Sequence, residues 1–110
     1  MATFFTITIM AQPGTLDSNF GVNGKVTTPI GTANDYCSAI LKLSTGKILA
    51  AGSTTSTMAF ACYNPDGTLD LSFNGTGIMN YDFGAGNDKI NKLVEQPDGK
   101  IIAAGDAIDA

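Results

Sequence analysis

The sequence contains no histidine, no tryptophan and no arginine, and Glu95 is its only glutamate. Without histidine the chain cannot build a Ser-His-Asp triad, a Cys-His pair or an imidazole metal site. Six lysines without any arginine, together with a net charge of −4, argue against binding to a nucleic-acid backbone. We therefore expect no catalytic residues, no cofactor, no metal and no nucleic-acid partner.

The first ten residues, MATFFTITIM, are the longest apolar segment at either end of the chain. They are similar to the core of a signal peptide, with Ala-Gln at 11–12 as a cleavage point, but no basic residue occurs before Lys25. The segment is also far shorter than the roughly 20 residues that cross a bilayer. We expect no membrane span, and the repeat described next favours a strand here.

An internal repeat organises the whole chain. Gly14-Thr15-Leu16-Asp17 recurs as Gly67-Thr68-Leu69-Asp70, and Gly46-Lys47-Ile48 recurs as Gly99-Lys100-Ile101, each 53 residues later. A shift of 53 aligns residues 14–57 with 67–110 without a gap, and 15 of those 44 pairs are identical, Phe20/Phe73 among them. We therefore predict a single unit, 1–110, with repeat 1 at about 1–53 and repeat 2 at about 54–106.

Each repeat contains the signals of strands and turns rather than those of helices. Residues 36–44, 47–53, 57–63 and 77–83 are candidate strands of one antiparallel sheet. Pro-Asp-Gly turns end two segments, because proline presets φ and Gly67 or Gly99 accepts a positive φ; Gly46 serves the turn of the first repeat. Asp17 and Asp70, with Phe20 and Phe73, belong to the recurring connection between the third and fourth strands. The prediction is an all-β fold built from four-stranded antiparallel repeats.

Two motifs indicate a family. Tyr-Asn-Pro-Asp-Gly-Thr-Leu-Asp-x-x-Phe at 63–73, followed by Gln-Pro-Asp-Gly-Lys-Ile-Ile-Ala-Ala-Gly at 96–105, resembles the delta-60 repeats, which are similar to the NHL class of β-propeller repeats. The resemblance implies β-propeller blades and a secreted or surface protein of bacteria. It implies no catalytic residues, because the family carries none that are assigned.

On this strand assignment we expect the chain neither to begin nor to end at a boundary between blades. The outer strands of one blade would lie at about 3–11 and 24–30, a full blade at about 36–83, and the inner strands of another at about 89–96 and 100–106. A half blade leaves backbone groups unpaired and an apolar face uncovered. We therefore expect a head-to-tail homo-oligomer in which blades are completed between chains, as a closed ring or an extracellular filament. Three chains would give six blades, and four would give eight.

Some residues have a second interpretation. Tyr36, Tyr63 and Tyr81 are candidate ligand residues of a carbohydrate-binding propeller, although tryptophan, the preferred stacking surface, is missing. Recurring acids at 17, 70, 35 and 88 suit calcium, but they suit turn and cap chemistry better.

The two cysteines, Cys37 and Cys62, fall on the first and third strands of one blade. That separation is roughly 9–10 Å, beyond disulfide reach. We predict that both are free thiols.

Overall fold

The computed structural model describes residues 14–84 and 86–107, and within them the secondary structure consists of six β-strands and turns. The strands are β1 (Asp35–Lys42), β2 (Ile48–Thr54), β3 (Thr57–Tyr63), β4 (Ile78–Tyr81), β5 (Lys89–Glu95) and β6 (Ile101–Asp106). Strands β1 to β4 form an antiparallel meander in chain order, and β5 and β6 form a separate antiparallel hairpin. The all-β, antiparallel prediction is confirmed.

Tight turns join the strands where the sequence predicted them. In the β1–β2 turn the Gly46 N–H donates to Leu43, and in the β5–β6 turn the Gly99 N–H donates to Gln96, each over 2.9 Å. The β3–β4 connection begins with a third such turn, from Asn64 to Gly67. Gly46, Gly67 and Gly99 have φ values of 84°, 88° and 83°, which L side chains rarely adopt.

The hairpin packs on one face of the four-stranded sheet, which we call the hairpin face. This face carries Leu49, Ala51, Phe60 and Cys62, all less than 9% exposed. Ile90 and Leu93 of β5 cover them and are themselves 0% and 7% exposed, and Phe73 and Met79 pack at the margin. The core is therefore an interface between two stacked sheets.

Residues 21–30, which we call the N-terminal segment, lie against the other side of the sheet, which we call the opposite face. Val26, Thr28 and Ile30 line a concavity there together with residues of β2 and β3. The Tyr63 hydroxyl donates to Thr28 Oγ1 over 2.7 Å, and the Gly21 N–H donates to the Asp66 carbonyl over 2.8 Å. The sheet is thus sandwiched between the N-terminal segment and the hairpin.

A β-bulge and a close backbone contact recur in both hairpins. The register shifts between Cys37 and Ala39 in β1 and between Ile90 and Lys92 in β5. Opposite these bulges, a Cβ on Gly52 would lie 1.8 Å from the Tyr36 carbonyl oxygen, and one on Gly105 would lie 1.9 Å from that of Lys89. Only glycine fits such an approach, which explains why Ala-Ala-Gly ends both copies.

One predicted strand is not formed. The segment 24–30 is not a strand, and near it the structure shows an isolated bridge between Val22 and Lys25. A strand is defined by ladder hydrogen bonds to a neighbour, and the neighbour predicted for this segment, 3–11, lies outside the described residues. No helix in the described ranges is long and apolar enough to cross a membrane.

Candidate functional site

Strand β6 has an open edge. Its only strand neighbour among residues 14–84 and 86–107 is β5. The Gln96 N–H donates to the Lys100 carbonyl over 2.8 Å, so the backbone of Lys100 points toward β5. Since backbone groups alternate sides along an antiparallel strand, those of Ile101, Ala103 and Gly105 point outward. This edge can pair with a further strand.

An apolar groove runs beside the open edge. It has a cavity volume of about 390 Å³, and its walls are Met58, Phe60, Met79, Tyr81 and Phe83 from the sheet side and Ala103, Gly105 and Ala107 from the hairpin. Tyr81 and Phe83 are 53% and 57% exposed, with ring centroids 4.5 Å apart. Exposed aromatic side chains next to unpaired backbone are typical of a surface that receives a strand.

An ion pair ties the β1–β2 turn to the β3–β4 connection. Lys47 Nζ lies 2.6 Å from Asp70 Oδ2, and the Ser72 hydroxyl donates to Asp70 Oδ1 over 2.6 Å. The hydrogen bond from Lys47 and then that from Ser72 lower the pKa of Asp70 to about 2. Burial, with the nearby Asp70 charge, raises the pKa of the Cys62 thiol. This cluster holds the outer strands, β3 and β4, to the inner strands, β1 and β2, at one end of the sheet.

The repeat provides a second copy of each residue of this ion pair: Asp17 corresponds to Asp70, and Lys100 corresponds to Lys47. In the part of the chain that the structure describes, Asp17 and Lys100 form no salt bridge with each other. The Asn19 N–H donates to Asp17 Oδ1 over 3.0 Å, as the Ser72 N–H donates to Asp70 Oδ1 over 3.2 Å. Lys100 lies in a turn that has the same backbone hydrogen bonds as that of Lys47. Each half is therefore preformed.

The three candidate tyrosines lie in three different surroundings. Tyr36 is 65% exposed at the start of β1, Tyr63 donates to Thr28 on the opposite face, and Tyr81 lines the groove. Tyr36 and Tyr81 lie at the two ends of one cross-strand row, with Ser53 and Met58 between them. Three strand spacings amount to about 14 Å, so these tyrosines do not form one flat platform.

The recurring acids bond to the local backbone. Asp35 Oδ2 accepts from the Ile30 N–H over 2.8 Å, and Asp88 Oδ2 accepts from the Phe83 N–H over 2.8 Å. Asp17 and Asp70 each accept from the N–H two residues ahead, which is the Asx-turn pattern. These contacts are the turn and cap chemistry favoured over calcium. Among the described residues no group of three or more acidic or cysteine side chains gathers as a metal site.

Both cysteines are free, as predicted. Cys37 lies on β1 and Cys62 on β3, with β2 between them. The cross-strand register also directs Cys37, opposite Gly52, and Cys62, opposite Leu49, to different faces of the sheet.

Sequence reasoning missed two parts of this region. It did not identify the groove, because the groove forms only where two stacked sheets of unequal width meet. It also gave no role to Lys47 and Lys100. Their recurrence 53 residues apart, alongside Asp17 and Asp70 at the same spacing, was the signal that could have paired them.

A protein-family model matches part of the chain. A family described as a β-propeller domain of unknown function (DUF5122) matches residues 43–73 and 96–110. These ranges contain the β1–β2 turn, β2, β3 and the first part of the β3–β4 connection, and, in the second copy, the turn before β6 and β6 itself. The chain is thus similar to β-propeller domains over the segments that carry its recurring motifs. Searches of curated proteins and of solved structures gave no match.

Proposed function

We propose that this chain is a non-enzymatic, self-assembling β-propeller-type module whose copies complete one another's blades head to tail. In this proposal β1 to β4 are a full blade, and β5 and β6 are the inner strands of the next blade. The outer strands of that next blade come from residues 4–10 and 25–28 of a second copy. The observation that carries the proposal is the open edge of β6 beside an apolar groove.

The repeat identifies the strand that would fill the groove. A shift of 53 places residues 4–10, FFTITIM, at the position of β3, and residues 25–28 at the position of β4. In the full blade β3 pairs with β2 along its whole length, from Ile48 opposite Tyr63 to Thr54 opposite Thr57. The same register would place residues 4–10 of a second copy along β6. In that register Phe4, Thr6, Thr8 and Met10 would share the face of Ala103 and Gly105 that lines the groove, and Phe4 and Met10 would add apolar contacts to its methionine and aromatic walls.

The stacking on the other side of the sheet supports the same arrangement. Val26, Thr28 and Ile30 of the N-terminal segment lie against the opposite face of the full blade. Their counterparts 53 residues later are Met79, Tyr81 and Phe83, the residues that wall the groove. A neighbouring copy seated on those residues would repeat a contact that the chain already makes within itself.

Such a contact joins two different surfaces, so it either closes into a ring or continues as a fibre. We also propose that the repeats are of the delta-60 type and that the protein is a structural component outside a bacterial cell. Support for this part is the resemblance of 63–73 and 96–105 to those repeats. The low content of charged residues, 15%, agrees with a surface component that works by assembly.

The mass in solution tests the proposal. We expect sedimentation velocity at micromolar concentration to show multimers of the 11.3 kDa chain. Tyr81→Lys should shift the distribution toward the monomer, because a charge in the groove opposes burial of an apolar strand. Leu71→Lys is the matched control: Leu71 is 65% exposed but does not line the groove, so association should persist. A wild-type chain that sediments as a monomer would refute the proposal.

A further inference from the structure

We infer that an ion pair between Lys100 of one copy and Asp17 of the next joins neighbouring molecules and sets the register of blade completion. The inference rests on the proposed function and names the contact that makes it specific. In the full blade Lys47 pairs with Asp70. A shift of 53 makes Lys100 the counterpart of Lys47 and Asp17 the counterpart of Asp70. In a single copy the repeated partners belong to different half blades.

The turn that carries Lys100 has the same backbone hydrogen bonds as the turn that carries Lys47 in the full blade. The Leu43 N–H donates to the Lys47 carbonyl and the Gln96 N–H donates to that of Lys100, both over 2.8 Å. The glycine before each lysine closes the turn with the same 2.9 Å bond. Lys47 is directed at Asp70 across this turn. Lys100 instead contacts Asp98 of its own turn over 3.3 Å, with its side chain 78% exposed.

The aspartate half is equally well formed. The Phe73 N–H donates to the Asp70 carbonyl over 2.9 Å, and the Phe20 N–H donates to that of Asp17 over 3.0 Å. Asp17 Oδ1 holds the Asn19 N–H, so the carboxylate is oriented by its turn as Asp70 is. In the described residues no lysine forms a salt bridge with Asp17. A charged group held in position by its own turn loses little further entropy on pairing.

The two halves cannot meet within one molecule. Lys100 belongs to the hairpin on the hairpin face, whereas Asp17 precedes the segment that lies against the opposite face. Packed sheets are about 10 Å apart, so the full blade holds the two groups about two sheet spacings from each other. A second copy placed on the groove in the register of β2 and β3 brings its Asp17 to Lys100.

An ion pair at this position would act on register as well as on affinity. A strand of small and apolar residues such as β6 sets its pairing register weakly, because a slip of two residues keeps the same face. A charge pair at the end of the blade rejects such a slip, because it would separate the charges and desolvate one of them.

Charge reversal tests the inference. We expect Lys100→Asp and Asp17→Lys each to weaken association by roughly tenfold or more, because each sets like charges against one another. The double variant Asp17→Lys, Lys100→Asp restores opposite charges between copies and should associate within about threefold of the wild type. An equimolar mixture of the two single variants should also associate, as alternating copies.

The outcomes separate the two claims. If the wild type associates but neither reversal changes its association, the ion pair is wrong and blade completion stands. If the double variant associates no better than the single variants, the ion pair is also wrong. If the wild type itself is monomeric, both the proposed function and the ion pair between copies are wrong. Thermal unfolding of each dilute variant checks that folding is intact, because Lys100 and Asp17 are exposed and outside the core.

Discussion

Replacing Ala103 by proline should reduce association roughly a hundredfold or more and leave the β5–β6 hairpin folded. The N–H of Ala103 points away from β5, so its loss breaks no hydrogen bond within the hairpin. A proline ring at this position removes a donor to the incoming strand, and the facing carbonyl left unpaired costs about 1–3 kcal/mol. Proline is tolerated on a free edge and not within a sheet.

The neighbouring position supplies the control. The backbone of Ala104 points toward β5, so Ala104→Pro should disrupt the hairpin and lower the stability of the dilute protein. Circular dichroism during thermal unfolding separates the two effects, and sedimentation velocity measures association. If Ala103→Pro associates as tightly as the wild type, the edge of β6 is not the surface on which copies meet.

Replacing Ile90 by alanine should destabilise the dilute protein by about 2–5 kcal/mol, near the upper end of that range. Ile90 is 0% exposed and lies in the interface between the hairpin and the sheet, next to Leu49, Phe60 and Cys62. Truncation leaves a cavity between the two stacked sheets. The same loss of packing should loosen the hairpin, and with it the wall of the groove.

Ile40→Ala removes the same atoms from a site that is 71% exposed, on the opposite face of β1. We expect it to change the stability by less than about 0.5 kcal/mol. Urea unfolding of both variants at low concentration compares the two. Equal losses would mean that the hairpin does not depend on Ile90 for its packing, and the stacked arrangement would then be wrong.

Much of the fold could be predicted because its signals are local. Pro-Asp-Gly turns mark where strands end, and runs of β-branched and apolar residues mark the strands between them. As a result, the strand predicted at 57–63 has the same bounds as β3, and the others differ by one or two residues at most ends. The strand predicted at 24–30 failed, because strand geometry there depends on a partner and not on the segment itself.

The groove could not be predicted, because its walls are distant in sequence. They come from β3, from β4 and Phe83, and from β6 and Ala107. Alternation along a strand tells which residues share a face, but not which neighbouring sheet covers that face or how far it extends.

A designed disulfide between copies tests the central claim most directly. In the full blade Ala51 lies opposite Phe60, and the shift of 53 makes Ala104 and Ile7 of a second copy the equivalent pair. The Cys62 N–H donates to Gly77 in the β3–β4 connection, so Cys62 and Phe60 turn their backbone away from β2. The pair is therefore of the non-hydrogen-bonded kind, whose Cα atoms are about 4.5 Å apart, within disulfide reach.

The variant Ala104→Cys, Ile7→Cys, made with Cys37→Ser and Cys62→Ala, should oxidise to covalent multimers on a non-reducing denaturing gel. The register control Ala104→Cys, Thr8→Cys directs the second thiol to the other face and should remain uncrosslinked. A crosslink that leaves the first variant at the mass of one chain, or the absence of any crosslink, would contradict blade completion between molecules.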